Sequence, residues 1–429
     1  MSLNKKNIID YFQSGSKSHN ECGIGIEHEK LLFYEKNNQR INYESILEMF
    51  KELYEFGWKP VYEGQNIISL NKGKKNITLE PGNQIELSGE NLKNIHEACS
   101  ESQIYLFELK QVTKRLNIQI VSSGFDPFSK LNEIPSNPKK RYSLMAKEMP
   151  KEGRLSLDMM YRSCGTQVNL DYVSENDFSK KFFVLNRIVP IIIALFANSS
   201  IIEKKESKFL SYRSYVWQNT SRGGLPKIFL EKMDFEKYAD FIINYPVLFI
   251  QKNENYFNPN GKTFKDFIEG KIEFKKTPSE KDLTNHLSTI FTETRLKKYI
   301  EFRSMDACGW DCLCAGPALL TGIIYGNLDE AFNVVRNWDS IDILSAYKDA
   351  PKKGFKTSLN KKDLYYWSSI LINLGKEGLN NRNILNRNKS NEVQFLSHLE
   401  NIILNKNTNA ENMLNKFSKD KNLSFFYEK

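Results

Sequence analysis

Apolar and polar residues alternate along 22–34, CGIGIEHEKLLFY. That period predicts a strand, on which residues two apart share a face. Glu27 and Glu29 therefore point the same way, opposite Ile24 and Ile26. Two carboxylates about 7 Å apart on one sheet face repel each other unless they are exposed or bridged by a cation. Taken alone, the pattern suits a solvent-facing edge strand.

The next segment, WKPVYEGQNIISLNKGKKNITLEPGNQIELSGE at 58–90, reads as a β-meander with a turn at 71–74 and a break at Pro81-Gly82. Ile77 and Leu79 lead into Glu80, and Gln84 and Glu86 share a face of the strand that follows. A second acidic strand in a Lys-rich chain suggests magnesium, which takes hard oxygen ligands from a few carboxylates and from substrate phosphates. A helix is predicted over 92–116, with Leu92, Ile95, Cys99, Leu106, Leu109 and Val112 on its core face.

A third segment, NPKKRYSLMAKEMPKEGRLSLDMMYRSCGTQVNLDY, ends in a predicted strand over 162–172. Gln167, Asn169 and Asp171 alternate there with Val168, Leu170 and Tyr172, which suits either a half-solvated strand or a pocket that hydrogen-bonds a small polar substrate. Met159-Met160 suits core or an adaptable apolar wall. In FLSYRSYVWQNTSRGGLP, Arg213 stands among small and aromatic residues, a setting for a guanidinium that grips a carboxylate or phosphate, or merely stacks on a ring. Arg222-Gly223-Gly224 reads as a flexible basic loop able to close over phosphates. In TRLKKYIEFRSMDACGW, Tyr299, Glu301 and Arg303 share a face, giving a buried ion pair or a metal ligand beside a phosphate clamp. Beyond about residue 327 the pattern turns helical, around 331–338, 364–374 and 392–404, and reads as a cover on the sheet.

Composition narrows the classes. Of 429 residues, 40% are hydrophobic and 26% charged, the balance of a globular protein. The longest apolar run, 188–197, contains Pro190 and falls far short of the roughly 20 residues that a spanning helix needs, so no membrane partner is expected. The start, MSLNKKNIIDYF, shows neither a cleavable apolar stretch nor an Arg-rich transit pattern, which leads to the expectation of a cytoplasmic protein. The charge of +9 is spread through mixed Lys, Asn and Glu, so no nucleic-acid partner is expected. Six cysteines are too sparse for a disulfide scaffold, and Cys308, Cys312 and Cys314 are expected to be buried or incidental thiols. Gly23-Ile-Gly25 lacks the third glycine of a dinucleotide loop, and no P-loop occurs.

In order, IGIEHEK, ITLEPGNQIELSGE, DMMYRSCGTQVNLDY, SYRSYVW and RLKKYIEFRSMD resemble the signature blocks of glutamate–cysteine ligases of the plant and proteobacterial type, dispersed over 24–325. The resemblance implies an α+β, glutamine-synthetase-like fold, a curved and largely antiparallel sheet forming a funnel, with helices outside. It implies a catalytic domain over 1–330 with a helical segment, 331–429, packed on it. It further implies ligation of the γ-carboxylate of L-glutamate to the amine of L-cysteine through γ-glutamyl phosphate, with ATP as co-substrate and Mg²⁺ as cofactor, by a monomer or homodimer. By block, Glu27, Glu29, Glu80, Glu86 and Glu301 fall on the metal strands. Arg303 would clamp phosphate and Arg213 would hold a substrate carboxylate. Arg222 is a nucleotide candidate, Gln167 and Asn169 would line the glutamate pocket, and Met160, Tyr245 and Trp310 would wall the amino-acid sites. Two departures stand out: Gly82-Asn83 replaces a glycine pair, and the loop after Trp217 is short and lacks acidic residues. A sister ligase with another amine, a Mg²⁺-dependent phosphotransferase and a non-catalytic nucleotide- or nucleic-acid-binding protein are the alternatives.

Overall fold

The computed structural model describes residues 3–253, 255–273, 276–419 and 423–428. Its centre is a nine-stranded antiparallel sheet. In chain order the strands are β1 (Ile24–Tyr34), β2 (Lys59–Glu63), β3 (Asn66–Lys72), β4 (Lys75–Leu79), β5 (Ile85–Ser88), β6 (Ile118–Val121), β7 (Gly165–Leu170), β8 (Thr294–Leu296) and β9 (Ile300–Asp306). Their spatial order is β8-β9-β7-β1-β5-β4-β3-β2, and β6 pairs with the second half of β1. This is the mixed antiparallel fold that the resemblance implies.

β1 therefore lies inside the sheet and is no edge strand. Its first half is flanked by β5 and β7, with Glu27 opposite Ser88 and Gln167, and Glu29 opposite Glu86. One strand further out, Asn169 stands opposite Glu301, and Glu301 opposite Arg295. Alternation puts each of these groups on one face.

The other face is covered by two long helices, α1 (Ile95–Arg115) and α2 (Glu175–Leu195). Tyr105, Leu106 and Leu109 of α1 share a core with Ile77, Ile85 and Leu87. Phe182, Leu185 and Val189 of α2 share another with Ile24, Val168, Leu170 and Phe302. The apolar run at 188–197 thus fills the core, and among the described residues no helix is long and apolar enough to cross a membrane. The predicted first helix starts three residues late, because Leu92 pairs with Ile24 and the Asn94 side chain caps the helix by accepting the Glu97 N–H at 2.9 Å.

The third segment departs more. DMMYR is part of a helix, Ser156–Arg162, and the strand runs only over Gly165–Leu170. Asp171 lies past its end and accepts from the Gly23 N–H at 2.8 Å, Lys17 at 2.7 Å and Asn91 at 3.0 Å. The core against α2 continues through residues beyond 330: Ile343, Ala346, Leu371 and Leu399 belong to it. There α3 (Leu364–Arg382) presses on the π turn Gly322–Gly326 so closely that a Cβ on Gly322 would collide with the Gly375 carbonyl. The last described residues extend the sheet: Tyr427 bridges Val121, and the Glu428 carboxylate meets buried Lys30 of β1 at 3.2 Å.

The expectation of buried or incidental thiols is corrected for Cys308, Cys312 and Cys314, and Cys99, read as a core residue, is bonded as well. Cys99 is bonded to Cys314 and Cys308 to Cys312, while Cys22 and Cys164 are free. Folding lays Cys314 beside α1 with its Cα 5.9 Å from that of Cys99, within reach of a bridge. No spacing in the sequence announces this.

Candidate active site

The polar face of the sheet floors a cavity of about 340 Å³. Glu27, Glu29, Glu80, Glu86, Glu301, Gln167, Met160 and Arg303 all line it. Five segments scattered over 27–303 are brought together by strand register.

Four of the carboxylates crowd at one end with few counter-charges. Glu86 accepts from Gln167 Nε2 at 3.0 Å and from Ser88 at 3.2 Å. Thr78 donates its hydroxyl toward both Glu80 and Glu86, at 3.3 and 3.4 Å. Glu80 also accepts from the Tyr142 hydroxyl at 3.2 Å, and Glu27 from Asn169 Nδ2 at 2.8 Å. Gly25, opposite Asn169, leaves room for that amide to lie across β1. Glu29 accepts the Gly165 N–H. Burial and then repulsion from Glu80 push the Glu29 carboxyl up to about 7, against the pull of Arg213, the Gly165 N–H and Arg303. Burial, with repulsion from Glu27, Glu80 and Glu29, pushes Glu86 well above the carboxylate range. Arg213, Arg303, Arg141 and Lys139 act on this cluster through space, but among the described residues none forms a salt bridge with any of the four carboxylates, and the donors are all hard oxygens, so these residues fit a divalent cation such as magnesium. They are not preassembled on one point: among the described residues, no three acids, histidines or cysteines are grouped tightly enough to form a ready-made metal cluster.

Glu301 differs from those four. Both its oxygens are engaged, by Arg295 Nε at 2.6 Å and Nη2 at 2.9 Å, by Lys297 at 3.3 Å and by Arg303 Nη1 at 2.8 Å. Burial alone would raise its pKa, but these three cations hold it well below the carboxylate range. It becomes a metal ligand only by releasing one of them. Arg303 also donates to the Gln167 carbonyl oxygen and lies 5.3 Å over the Trp217 ring. An acidic pole and a basic pole thus share one cavity. An apolar wall of Met145, Met159, Met160, Trp217, Phe249 and Phe291 closes it.

Several candidates sit elsewhere. Arg213 is buried behind the cavity on the short helix Tyr212–Trp217, stacked 4.8 Å over Trp217 and donating to the Arg303 carbonyl at 2.9 Å. Gly165 makes that position possible, since a Cβ there would meet the guanidinium. Arg222 is no flexible phosphate loop. It is buried, donates to the carbonyls of Thr289 at 2.7 Å and Pro246 at 2.8 Å, and its following glycines pair with 291–292. Tyr245 packs 4.8 Å from the Arg222 guanidinium, outside the cavity lining. Trp310 lines three clefts of about 840, 690 and 360 Å³ on the far side, its backbone N–H bonded to Glu428 at 3.0 Å. The buried guanidinium and the two displaced rings follow from tertiary packing that alternation along one strand does not encode.

Three cations that sequence reasoning left out line the cavity, Arg141, Arg295 and Lys297. Continuing the alternation of Arg303, Glu301 and Tyr299 back by two more residues reaches Lys297. Arg295 lies beyond a turn, and Arg141 follows Lys139 and Lys140 with nothing in the sequence to single it out.

The profile of glutamate-cysteine ligase family 2 matches residues 23–428. A chloroplastic glutamate–cysteine ligase of Nicotiana tabacum is 38% identical over 420 residues, 96% of this chain and 79% of that protein. Its counterpart in Arabidopsis thaliana is 36% identical over 424 residues, 97% of this chain and 80% of that protein. A solved glutamate–cysteine ligase of Francisella tularensis, in complex with AMP, shares the fold with a TM-score of 0.55 at 14% identity, covering 94% of this chain and 86% of that one. The expectation of a cytoplasmic protein is overturned by relatives that match nearly the whole chain and are chloroplastic. Compartment is set by targeting segments, which a fold's own residues do not report. On a match spanning almost its whole length, and on relatives this similar, the chain belongs to glutamate-cysteine ligase family 2.

Proposed function

We propose that the chain catalyses the ATP-dependent ligation of L-glutamate to L-cysteine, the step that opens glutathione biosynthesis, in the cavity on the polar sheet face. The observation that carries this reading is the presence, in one cavity of about 340 Å³, of four carboxylates without a salt-bridge partner among the described residues and of a cluster of three cations. A glutamate γ-carboxylate attacks the γ-phosphorus of ATP, giving γ-glutamyl phosphate and ADP. The cysteine amine then attacks the acyl carbon, and phosphate leaves as the γ-peptide bond forms. Both steps bring anions together, so the protein's contribution is positioning and charge neutralisation.

Glu27, Glu29, Glu80 and Glu86 would hold magnesium, with Glu301 joining if it releases a cation. When bound, the metal supplies charge neutralisation between carboxylate and triphosphate. Arg303, held by Gln167 and Glu301 and stacked on Trp217, is placed to stabilise charge on the transferred phosphoryl group. Arg213 acts from behind, fixing the Arg303 backbone. Gln167 and Asn169 orient Glu86 and Glu27; of the two, Gln167 lines the cavity and can also meet a polar substrate, while the Asn169 Oδ1 is buried without a protein partner. The methionines and aromatics keep water from the acyl phosphate. The helical segment 331–429 serves as a cover that steadies the sheet from its apolar side.

The test is phosphate release from ATP with glutamate, with and without cysteine, together with mass spectrometry of the product. Release requiring both amino acids and yielding γ-glutamylcysteine is expected. Release with glutamate and a different amine would make it a sister ligase. Release to a stable phosphorylated product, with no hydroxamate formed in hydroxylamine, would replace the ligase by a phosphotransferase.

A further inference from the structure

We propose that Lys297 contacts the nucleotide's terminal phosphates, acting as the movable member of the basic pole. The inference rests on the ligase reading above. At this pole Arg295, Lys297 and Arg303 share a single carboxylate, Glu301, all of them buried or largely so. Three cations on one anion leave a positive surplus. Glu27 acts on all three through space but forms a salt bridge with none of them, so their charge is only partly neutralised and an anionic ligand in the cavity would complete the pole.

The three cations are not equally free to meet one. Arg295 gives Nε and Nη2 to Glu301, and Nη1 to the carbonyls of Leu287 at 3.2 Å and Ile290 at 3.1 Å. It is a fixed post. Arg303 is tied by Nη1 to both Glu301 and Gln167. The Lys297 ammonium has three donors. It donates to the Tyr299 hydroxyl at 3.3 Å and keeps a 3.3 Å ion pair with Glu301. Its side chain, 23% exposed, lines the cavity. A lysine offers a point charge on a flexible stem, suited to a phosphate that changes position, whereas a planar arginine fork suits a fixed carboxylate.

Location favours phosphate over an amino-acid carboxylate. Glu301 sits opposite Asn169 in the register, Asn169 donates to Glu27, and the Glu27 charge reaches Lys297. Lys297 therefore flanks the carboxylate row at which a magnesium-bridged triphosphate would lie. Its neighbour Lys298 points away, 4.8 Å over the Tyr11 ring, and provides a control of equal charge.

Calorimetric titration of the full chain with magnesium and the β,γ-imido analogue of ATP tests this without turnover. K297M should weaken the triphosphate by about tenfold to a hundredfold, the range of a charge-assisted hydrogen bond. AMP and glutamate should bind it as they bind the wild type, and K298M should keep wild-type affinity for the analogue. If K297M does not fold, judged by thermal melting, K297Q carries the same expectation. Unchanged triphosphate affinity in a folded Lys297 variant, or an equal loss for glutamate or AMP, would overturn the assignment. A wild type that ligates the two amino acids while K297M binds the analogue normally would sink this inference and leave the ligase intact. A wild type that binds no triphosphate would sink both.

Discussion

Glu29→Gln should stabilise the metal-free protein at pH 8 while abolishing turnover. Glu29 is walled by protein, and its carboxyl is held up at about 7 by burial and by Glu80, against an ordinary 4.5. Between those values the native chain keeps a proton that the unfolded chain has lost. Stability falls wherever the native state binds more protons as pH rises, so the loss builds from about 4.5 to about 7 and is complete above. At about 1.4 kcal/mol per pH unit the gap amounts to about 3–4 kcal/mol at most, and water in the cavity screens part of it. Glu86 is displaced in the same direction, so its contribution has the same sign. A neutral amide keeps the size of the side chain, and its carbonyl can still accept the Gly165 N–H. Urea unfolding from pH 5 to pH 8, with and without Mg²⁺, reads the effect. The variant should be up to about 3–4 kcal/mol more stable than wild type at pH 8 without metal, and should converge with it toward pH 5. Mg²⁺ at a hundred times its dissociation constant should stabilise wild type by about 2.7 kcal/mol and the variant by less. A variant less stable than wild type at pH 8 without metal, or an equal Mg²⁺ response in both, would refute the picture of an under-compensated acidic pole.

Two further outcomes test the frame around the site. Gly322→Ala should cost about 1–3 kcal/mol in urea unfolding by forcing the Gly322–Gly326 turn away from Leu364–Arg382, where a Cβ collides with backbone; an unchanged midpoint would mean that the two do not pack so closely. Trp310→Ala should leave KM for glutamate and for cysteine unchanged, because the ring lines clefts on the far side of the sheet; a raised KM for either would return Trp310 to the substrate site.

Much of the site was legible because alternation along a strand is a local property. IEHE, EPGNQIE and YIEFR each announce which of their own residues share a face, and all five predicted glutamates reach the cavity. The polar row Gln167 and Asn169 was readable in the same way. The errors came where one segment's role depends on another. Arg222 looked like a loop cation until Thr289 and Pro246 claimed its donors. Trp310 follows the Glu301 strand closely in sequence, yet the chain leaves the sheet before it and carries the ring to the opposite side.

The sequence by itself determined the strands that carry the acidic residues, which of those residues share a face, and the supply of hard oxygen ligands, since these follow from periods of two and from residue chemistry. Tertiary structure decided the register that sets Glu29 against Glu86 and Glu27 against Gln167, and the surrender of Glu301 to three cations. It also decided the bridge between Cys99 and Cys314, 215 residues apart. The physical reason is one of range. A side chain's direction is fixed by its own backbone, but its charge state and partners are fixed by groups that only the closed sheet brings within a few ångströms.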